Sequence, residues 1–380
     1  NAESRARETI KVAGGEPVTL TVERTEWGPV LLRANTGDKP IYSVRKSFWK
    51  RELQAMSEFL AVPRLTTARE VLDQAGRFPV TFNVFAADVD GNIGYRYAGA
   101  FPIRRPDLDP RLPIPADGNE AWPRMATPQE MPHAYNPKAG VILNWNYKPI
   151  RDWPNMDTPV WGPVFRNEAM VRAMGDGPWS TADLVLAAKE IAEAEDTTSG
   201  LFRDLFLQAI GDDPAFAAAK ERLTAFDGSF LNGDVNAAFY LQCVNALRRN
   251  GWLSQTGNFT SDQFFSTVIQ PSTMMRAIRG RSALGVIVTA DMLRESVADA
   301  MAAPPGPTLR GGLYAGQPYG PVPYGNRGTY IQVVSLGAGS VRGMTVLGPG
   351  NTESGEHSAD QVPLVARWRL KPSFVSGLRQ

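Results

Sequence analysis

The order of its strand and helix patterns predicts an α+β fold, in which one sheet core is interrupted by a helical excursion. Strand patterns fill the first part of the chain, helical patterns occupy residues 180–305, and strand patterns return over residues 306–380. A chain that leaves a sheet and returns to it favours one domain over two in tandem. We therefore expect residues 1–380 to form one domain, with the sheet and its loops in residues 8–179. The 35 glycines and 30 prolines indicate many turns and long ordered loops, not a helix bundle.

The first half of the chain alternates between strand and helix patterns. Two alternating stretches around Gly-Gly-Glu-Pro predict a hairpin within residues 8–34. Apolar residues at helical spacing predict a helix over residues 44–62, and a second, short helix follows Thr66 and Thr67 and ends at Gly76. The patterns that follow predict two strands, at residues 79–88 and 92–101, joined by Val-Asp-Gly-Asn. A proline-rich irregular stretch at residues 102–138 and a short buried strand at residues 140–147 come next.

The second half begins with a strong helix start at Ser180. Asp183 follows three residues later, and the apolar residues after it recur at helical spacing, so the pattern predicts a capping box. Further helical patterns occupy residues 201–211, 214–226, 235–248 and 283–303. After the Pro-Pro-Gly-Pro break at residues 304–307, two apolar alternating stretches predict strands, at residues 329–336 and 343–350.

Composition excludes several classes of function. The formal net charge is +1, so there is no electrostatic case for binding nucleic acid or an anionic membrane surface. Two histidines and one cysteine leave little room for a metallohydrolase, a Ser-His-Asp triad or a disulfide. No window of about 18 apolar residues is present, so we expect no membrane-spanning segment. The generic nucleotide-binding, hydrolase and zinc signatures are absent from the sequence.

Residues 88–92, Asp-Val-Asp-Gly-Asn, have two interpretations. The spacing resembles the start of a calcium loop, but it is incomplete and no glutamate follows at the required distance. Asp-Gly between two alternating strands is the stronger signal for a tight hairpin turn. We therefore predict a turn.

Asn144, Trp145 and Asn146 lie within the predicted strand at residues 140–147. Residues two apart in a strand share a face, so both asparagines would point one way and Trp145 the other. In one interpretation, the asparagines satisfy backbone groups at the end of a strand. In the other, a side-chain amide N–H is aimed at a developing oxyanion. From the residues alone the first interpretation is favoured.

The wider sequence resembles a known family. The runs DGNIGYRYAGAFPIRRPDLDPRLPIPADG and NPKAGVILNWNYKPIRDWPNMD are similar to the β chain of the penicillin acylases, within the penicillin amidase family of N-terminal-nucleophile hydrolases. The hairpin ETIKVAGGEPVTLTVERTEWGPVLL also resembles that family, with Trp27 where histidine is usual. The resemblance extends from about residue 8 to 370 through YGNRGTY and GPGNTESGEHSADQ, and is strongest at residues 79–168.

The resemblance implies a four-layer αββα fold and the hydrolysis of an amide that links an acyl group to a small amine. It implies that Asn146, the second asparagine of the Asn-Trp-Asn motif, donates to the oxyanion. Arg166 in GPVFRNEAM best matches the active-site arginine, with a gap slightly shorter than usual, although it could instead form a surface ion pair. The position of Phe82 lines the acyl site in this family, and a plain core residue is the alternative.

The resemblance also implies one structural calcium ion. Its ligands in this chain would be the carbonyl oxygen of Pro110 and the carboxylate of Asp157, with the remaining ligands outside this chain. Carbonyl and carboxylate oxygens are the ligands that calcium prefers.

The first residue departs from the family pattern, because Asn1 is not a nucleophile. The family attacks with an N-terminal Ser, Cys or Thr whose α-amine serves as base. We therefore expect companion chains from the same precursor, namely an α chain and a segment that carries the nucleophile. One alternative is that the sequence shown is partial and the nucleophile lies in a missing segment. The other is a catalytically inactive homologue that acts as a binding or scaffold protein in the cell envelope. The resemblance further implies a periplasmic or secreted location.

Overall fold

The computed structural model of the chain describes most of its residues. The described residues are 4–33, 40–108, 113–116, 122–153, 165–194, 201–229, 234–253, 255, 271–280, 286–306, 330–337, 339–347, 350, 352, 355–357, 360–365 and 367–373. Strands dominate the first part, helices the middle and strands the last part, which confirms the α+β class and the helical excursion. The four-layer arrangement stays a prediction.

The described chain separates into two compact units, which we describe one at a time. The first comprises Asn1–Ile142 and Lys148–Val160, and the second comprises Leu143–Tyr147 and Trp161–Gln380. The single domain expected over residues 1–380 stays a prediction.

The first unit begins with a four-stranded antiparallel sheet in the order β1-β2-β3-β4. The strands are β1 (Ser4–Ile10), β2 (Val18–Thr25), β3 (Gly28–Arg33) and β4 (Ile41–Ser43). Residues Glu8 and Leu20 are partners in the first pair of strands, which confirms the predicted hairpin.

A second sheet in this unit has the order β5-β6-β9 and packs beneath a helix. Its strands are β5 (Phe82–Ala87), β6 (Ile93–Ala98) and β9 (His133–Tyr135), and a two-stranded pair joins β7 (Pro102–Ile103) to β8 (Arg124–Met125). Because a Cβ atom on Gly94 of β6 would overlap with Leu72 Cδ1, glycine permits the close approach of sheet and helix.

Two α-helices complete the described part of the first unit. Helix α1 spans Glu52–Ala61, and helix α2 spans Ala68–Ala75. The start of α2 is a full capping box, in which Thr67 Oγ1 accepts from Glu70 N and Glu70 Oε2 accepts from Thr67 N. Ala75, Phe78 and Ala98 form a buried apolar cluster between α2 and the second sheet.

The second unit is built mainly from helices. They are α3 (Phe165–Met174), α4 (Thr181–Glu193), α5 (Leu201–Ile210), α6 (Ala217–Ala225), α7 (Val235–Arg248), α8 (Pro271–Ile278), α9 (Ala290–Ala302) and α10 (Val362–Val365). Ser180 caps α4 as predicted, since its Oγ accepts from Asp183 N. The core contains Phe202, Phe206, Leu223, Tyr240 and Val297, all at most 1% exposed. An antiparallel sheet joins β10 (Tyr330–Gly337), β11 (Ser340–Leu347) and β12 (Lys371–Ser373).

Several predicted bounds are wrong. The helix predicted over residues 44–62 begins at Glu52, since turns occupy residues 47–50 and Lys50 has a positive φ of 64°. Residues 140–147 are irregular, with bends at 140 and 145–147, and form no strand, because Gly140 and Asn146 adopt left-handed backbone conformations. The irregular stretch predicted at 102–138 contains strands β7, β8 and β9.

Candidate active site

The segment Leu143–Tyr147 is anchored to the second unit by its tryptophan. Trp145 is 5% exposed and packs with Ala169 and Met170 of α3 and with Ala194. The Tyr147 hydroxyl donates to the Leu143 carbonyl oxygen over 2.6 Å, which closes the segment on itself. Burial raises the pKa of the Tyr147 hydroxyl, so this donor keeps its proton.

Asn146 lies next to this anchor in a constrained backbone conformation. Its φ is 55°, a left-handed value that asparagine tolerates better than most residues. Its backbone N–H donates to Asn144 Oδ1 over 2.9 Å, so the Asn144 side chain holds the turn. The Asn146 side chain is exposed, and its amide makes no hydrogen bond to any described residue. The anchored backbone thus presents the Asn146 side-chain amide to solvent, where a ligand could reach it.

Arg166 is the second residue of helix α3, and its side chain lies outside the described residues. Ala169 and Met170 follow three and four residues later in the same helix and contact Trp145. At 1.5 Å of rise per residue, the Arg166 backbone lies within about 6 Å along the axis of those contacts. The structure therefore brings the Asn-Trp-Asn segment and the start of α3 into the same region of the second unit.

Phe82 belongs to the first unit, where it opens strand β5. The residue is 46% exposed, and its ring meets the Phe59 ring edge-on, at 4.9 Å between centroids. Asn83 lies on the opposite face, where its Oδ1 accepts from the Tyr95 hydroxyl over 2.7 Å. Phe82 and Asn83 therefore point to opposite faces of the strand, and nearly half of the Phe82 residue surface is open to solvent.

Phe59 is an aromatic neighbour that the sequence did not single out. The helical pattern assigned it to an apolar stripe, but it is also a partly exposed ring between Phe82 and the buried Phe78. Its centroid lies 4.3 Å from that of Phe78. Only the pairing of α1 with β5 in three dimensions identifies it, because no local signal joins residues 59 and 82.

Pro110 and Asp157, the expected calcium ligands, lie outside the described residues. Within the ranges that the structure describes, no group of three or more His, Cys, Asp or Glu side chains could hold a metal ion.

Asp88 forms the turn that the sequence predicts. Its carboxylate accepts backbone N–H donors from Ala68, Asp90 and Asn92 at 3.0–3.1 Å, and also the Asn92 amide. These hydrogen bonds, that from Ala68 N most and those from Asn92 next, lower the pKa of this carboxyl. Burial alone would raise it. Asp88 thus links the β5–β6 turn to the start of α2 and is structural.

Cys243 is not a nucleophile in this structure. It lies in the core of the second unit, and burial raises the pKa of its thiol to about 12. Since the thiolate is the reactive form, this residue is inert at neutral pH.

Comparison with known proteins identifies the class of protein to which these features belong. The family model described as penicillin amidase matches residues 3–311, and the chain belongs to that family. A penicillin G acylase from Escherichia coli is 32% identical over 234 residues, which is 60% of this chain and 27% of that protein. The acyl-homoserine lactone acylase QuiP from Pseudomonas syringae pv. tomato is 24% identical over 283 residues, which is 70% of this chain and 34% of that protein.

The fold is also that of a solved relative. A thermostable penicillin G acylase from Alcaligenes faecalis superimposes with a TM-score of 0.78 at 22% identity, over 98% of this chain and 78% of that chain. The chain spans about a third or less of the length of the curated relatives above. Among the helices that the structure describes, none is long and apolar enough to cross a lipid bilayer.

Proposed function

We propose that this chain is part of an amidohydrolase that removes an acyl group from a small amine. The observation that carries the proposal is the Asn146 amide, which is exposed and has no hydrogen bond to a described residue. The burial of Trp145 and the Asn144 side chain hold the backbone at Asn146. Preorganised N–H donors of this kind stabilise the oxyanion of an acyl-transfer reaction. The names of the relatives, penicillin G acylase and acyl-homoserine lactone acylase, support the same class.

In the proposed reaction, an N-terminal nucleophile outside these 380 residues attacks the amide carbonyl carbon. Its own α-amine accepts the hydroxyl or thiol proton and passes it to the leaving amine. Asn146 donates to the oxyanion, and Arg166 lies near the α-amine and tunes it. Water then hydrolyses the acyl-enzyme and releases a carboxylate. Phe82, with nearly half of its residue surface exposed, contacts the acyl group.

The proposal includes companion chains and a metal ion. The α chain and the segment with the nucleophile would come from the same precursor. Pro110 and Asp157 would supply oxygen ligands to one structural calcium ion, whose remaining ligands lie outside this chain. Their donor chemistry suits calcium, which takes six to eight oxygen ligands. The four-layer αββα arrangement and a periplasmic or secreted location complete the proposal.

Mass measurement and sequencing of every chain in the purified protein test the proposed nucleophile. We expect one companion chain to begin with Ser, Cys or Thr, and we expect the preparation to hydrolyse a series of acyl p-nitroanilides. Acetylation of that α-amine should abolish turnover, because the base is lost. Chains without such a residue, or no turnover of any substrate in the series, would favour an inactive binding or scaffold protein instead.

A further inference from the structure

A cavity with a volume of about 330 Å³ lies in the first unit, between α1, the end of α2 and strand β6. This volume falls at the lower end of the range of about 300–1,000 Å³ for small-molecule sites. Its charged lining consists of three guanidinium groups and one carboxylate, from Arg51, Arg77, Arg96 and Glu58. The charged lining is therefore positive by two, in a chain whose formal net charge is +1.

Two of these guanidinium groups keep free donors. Arg51 Nε donates to Gln54 Oε1 over 2.9 Å, and Arg77 Nε lies 3.3 Å from Glu58 Oε2. The terminal nitrogens of both side chains make no hydrogen bond to any described residue. A guanidinium edge with free N–H groups fits the two oxygens of a carboxylate.

The other two charged groups are held in the cavity wall. The buried Glu58 accepts from Gln74 Nε2 over 2.6 Å, and Arg96 donates to the Pro128 carbonyl oxygen over 2.8 Å. Arg96 Nε is buried without a hydrogen-bond partner among the described residues, and its nearest carboxylate, Asp73, is 4.0 Å away. Because this positive charge is only partly compensated, an anion in the cavity would be stabilised.

Beside these charged groups, the lining includes the side chains of Phe78, Tyr97, Met125 and Met131, which form an apolar part of the wall. A ligand that matches both parts has an apolar body and one anionic end. An inorganic oxyanion would satisfy the arginines but leave the apolar wall without a partner. We propose that this cavity binds a small carboxylate with an apolar group, whose oxygens contact Arg51 and Arg77.

Calorimetric titration of the purified protein, with any companion chains it carries, tests this site. Benzoate is the probe, benzyl alcohol is its neutral counterpart, and inorganic phosphate is the oxyanion control. We expect saturable benzoate binding, little binding of benzyl alcohol and weaker binding of phosphate. No saturable benzoate binding, or phosphate binding as tight as that of benzoate, would overturn the assignment.

Variants separate this cavity from any carboxylate site elsewhere in the protein. Arg51→Gln and Arg77→Gln should each raise the Kd for benzoate about tenfold, because each removes a charge-assisted contact. Arg77 is 67% exposed, so its replacement should not unfold the unit. Glu58→Gln should tighten benzoate binding severalfold, since it removes the carboxylate that repels an anion from the described part of the lining.

Arg64→Gln is the matched control, because Arg64 is exposed in the same unit and does not line the cavity. It should leave the Kd unchanged. If the Arg51 and Arg77 variants bind benzoate as the wild type does, the ligand occupies another site and the proposal is wrong. The readout is binding and not turnover, so this result is independent of whether the proposed acylase activity exists.

Discussion

Asn146 supports the sharpest prediction, because its side chain can be altered without disturbing its anchor. Asn146→Asp keeps the size of the side chain and its tolerance of the left-handed backbone but removes the amide N–H donor. Loss of one oxyanion donor typically costs 10²–10³ in kcat, or about 2.7–4 kcal/mol. We therefore expect kcat to fall by that factor, with little change in KM, in steady-state hydrolysis of an acyl amide.

Asn146→Gly and Asn146→Ala separate chemistry from backbone strain. Glycine also removes the amide and accepts a φ of 55° freely, so its kcat should fall by the same 10²–10³. The aspartate variant should fall at least as far, because its carboxylate also repels the oxyanion. The left-handed conformation costs alanine roughly 1–2 kcal/mol in the free energy of the folded state, so Asn146→Ala should additionally lower the melting temperature. Equal stability of the glycine and alanine variants would contradict the strained backbone.

Asn144→Ala is the control variant for Asn146, because it alters the neighbouring asparagine of the same segment. It removes the acceptor for Asn146 N, so it should cost about 0.5–1.5 kcal/mol in the free energy of unfolding and only a small part of kcat. Chemical denaturation measures the first quantity and steady-state kinetics the second. If both asparagine positions gave equal and small effects on kcat, the role of Asn146 in the oxyanion hole would be refuted.

Three further predictions concern the acyl group, the metal ion and a buried carboxylate. Phe82→Ala should shift the optimum of kcat/KM toward bulkier acyl groups across an acyl amide series, whereas an unchanged ranking with lower stability would make Phe82 a core residue. Asp157→Ala should lower the melting temperature and leave kcat nearly intact, because the calcium ion is expected to be structural; a fall in kcat at unchanged stability would contradict this. Asp88 has a lowered pKa, so it stabilises the fold above the pKa of an unfolded aspartate, and this contribution is lost as the pH falls through the folded value. The melting temperatures of wild type and Asp88→Asn should therefore differ at neutral pH and converge in acid, and a constant difference down to pH 2 would refute the linkage.

Local sequence patterns were sufficient to predict structure where a side chain forms hydrogen bonds with the backbone of its sequence neighbours. The capping boxes at Thr67 and Ser180 and the turn at Asp88 were predictable, since each is a short-range pattern of acceptor and backbone donor. The buried Trp145 was also predictable from its apolar neighbours. For the same reason, the interpretation in which asparagines satisfy nearby backbone correctly describes Asn144.

Prediction from the sequence was wrong where the backbone conformation depends on contacts between residues far apart in the chain. The apolar run at residues 140–147 predicted a short buried strand, but Trp145 is buried by α3 and Ala194, and the chain bends to reach them. Strand β9 lies in a proline-rich stretch, and its pairing with β6 over a separation of about 40 residues gives it a place in the sheet. The cavity with three arginines could not be predicted, because its lining comes from segments far apart in sequence.

Helix α1 has an exposed apolar face. Its buried face carries Ala55 and Glu58, while Leu53 and Leu60 are 81% and 71% exposed and Met56 lies on the same outward side. Burial of three such side chains contributes roughly 5 kcal/mol or more, which is a large part of the roughly 5–15 kcal/mol that stabilises a typical domain. We therefore expect these 380 residues alone neither to fold stably nor to hydrolyse amides, as light scattering and an amidase assay would measure. A monodisperse, active preparation of this chain by itself would contradict that expectation, and Leu53→Asp, which should weaken association with a companion chain, provides an independent check.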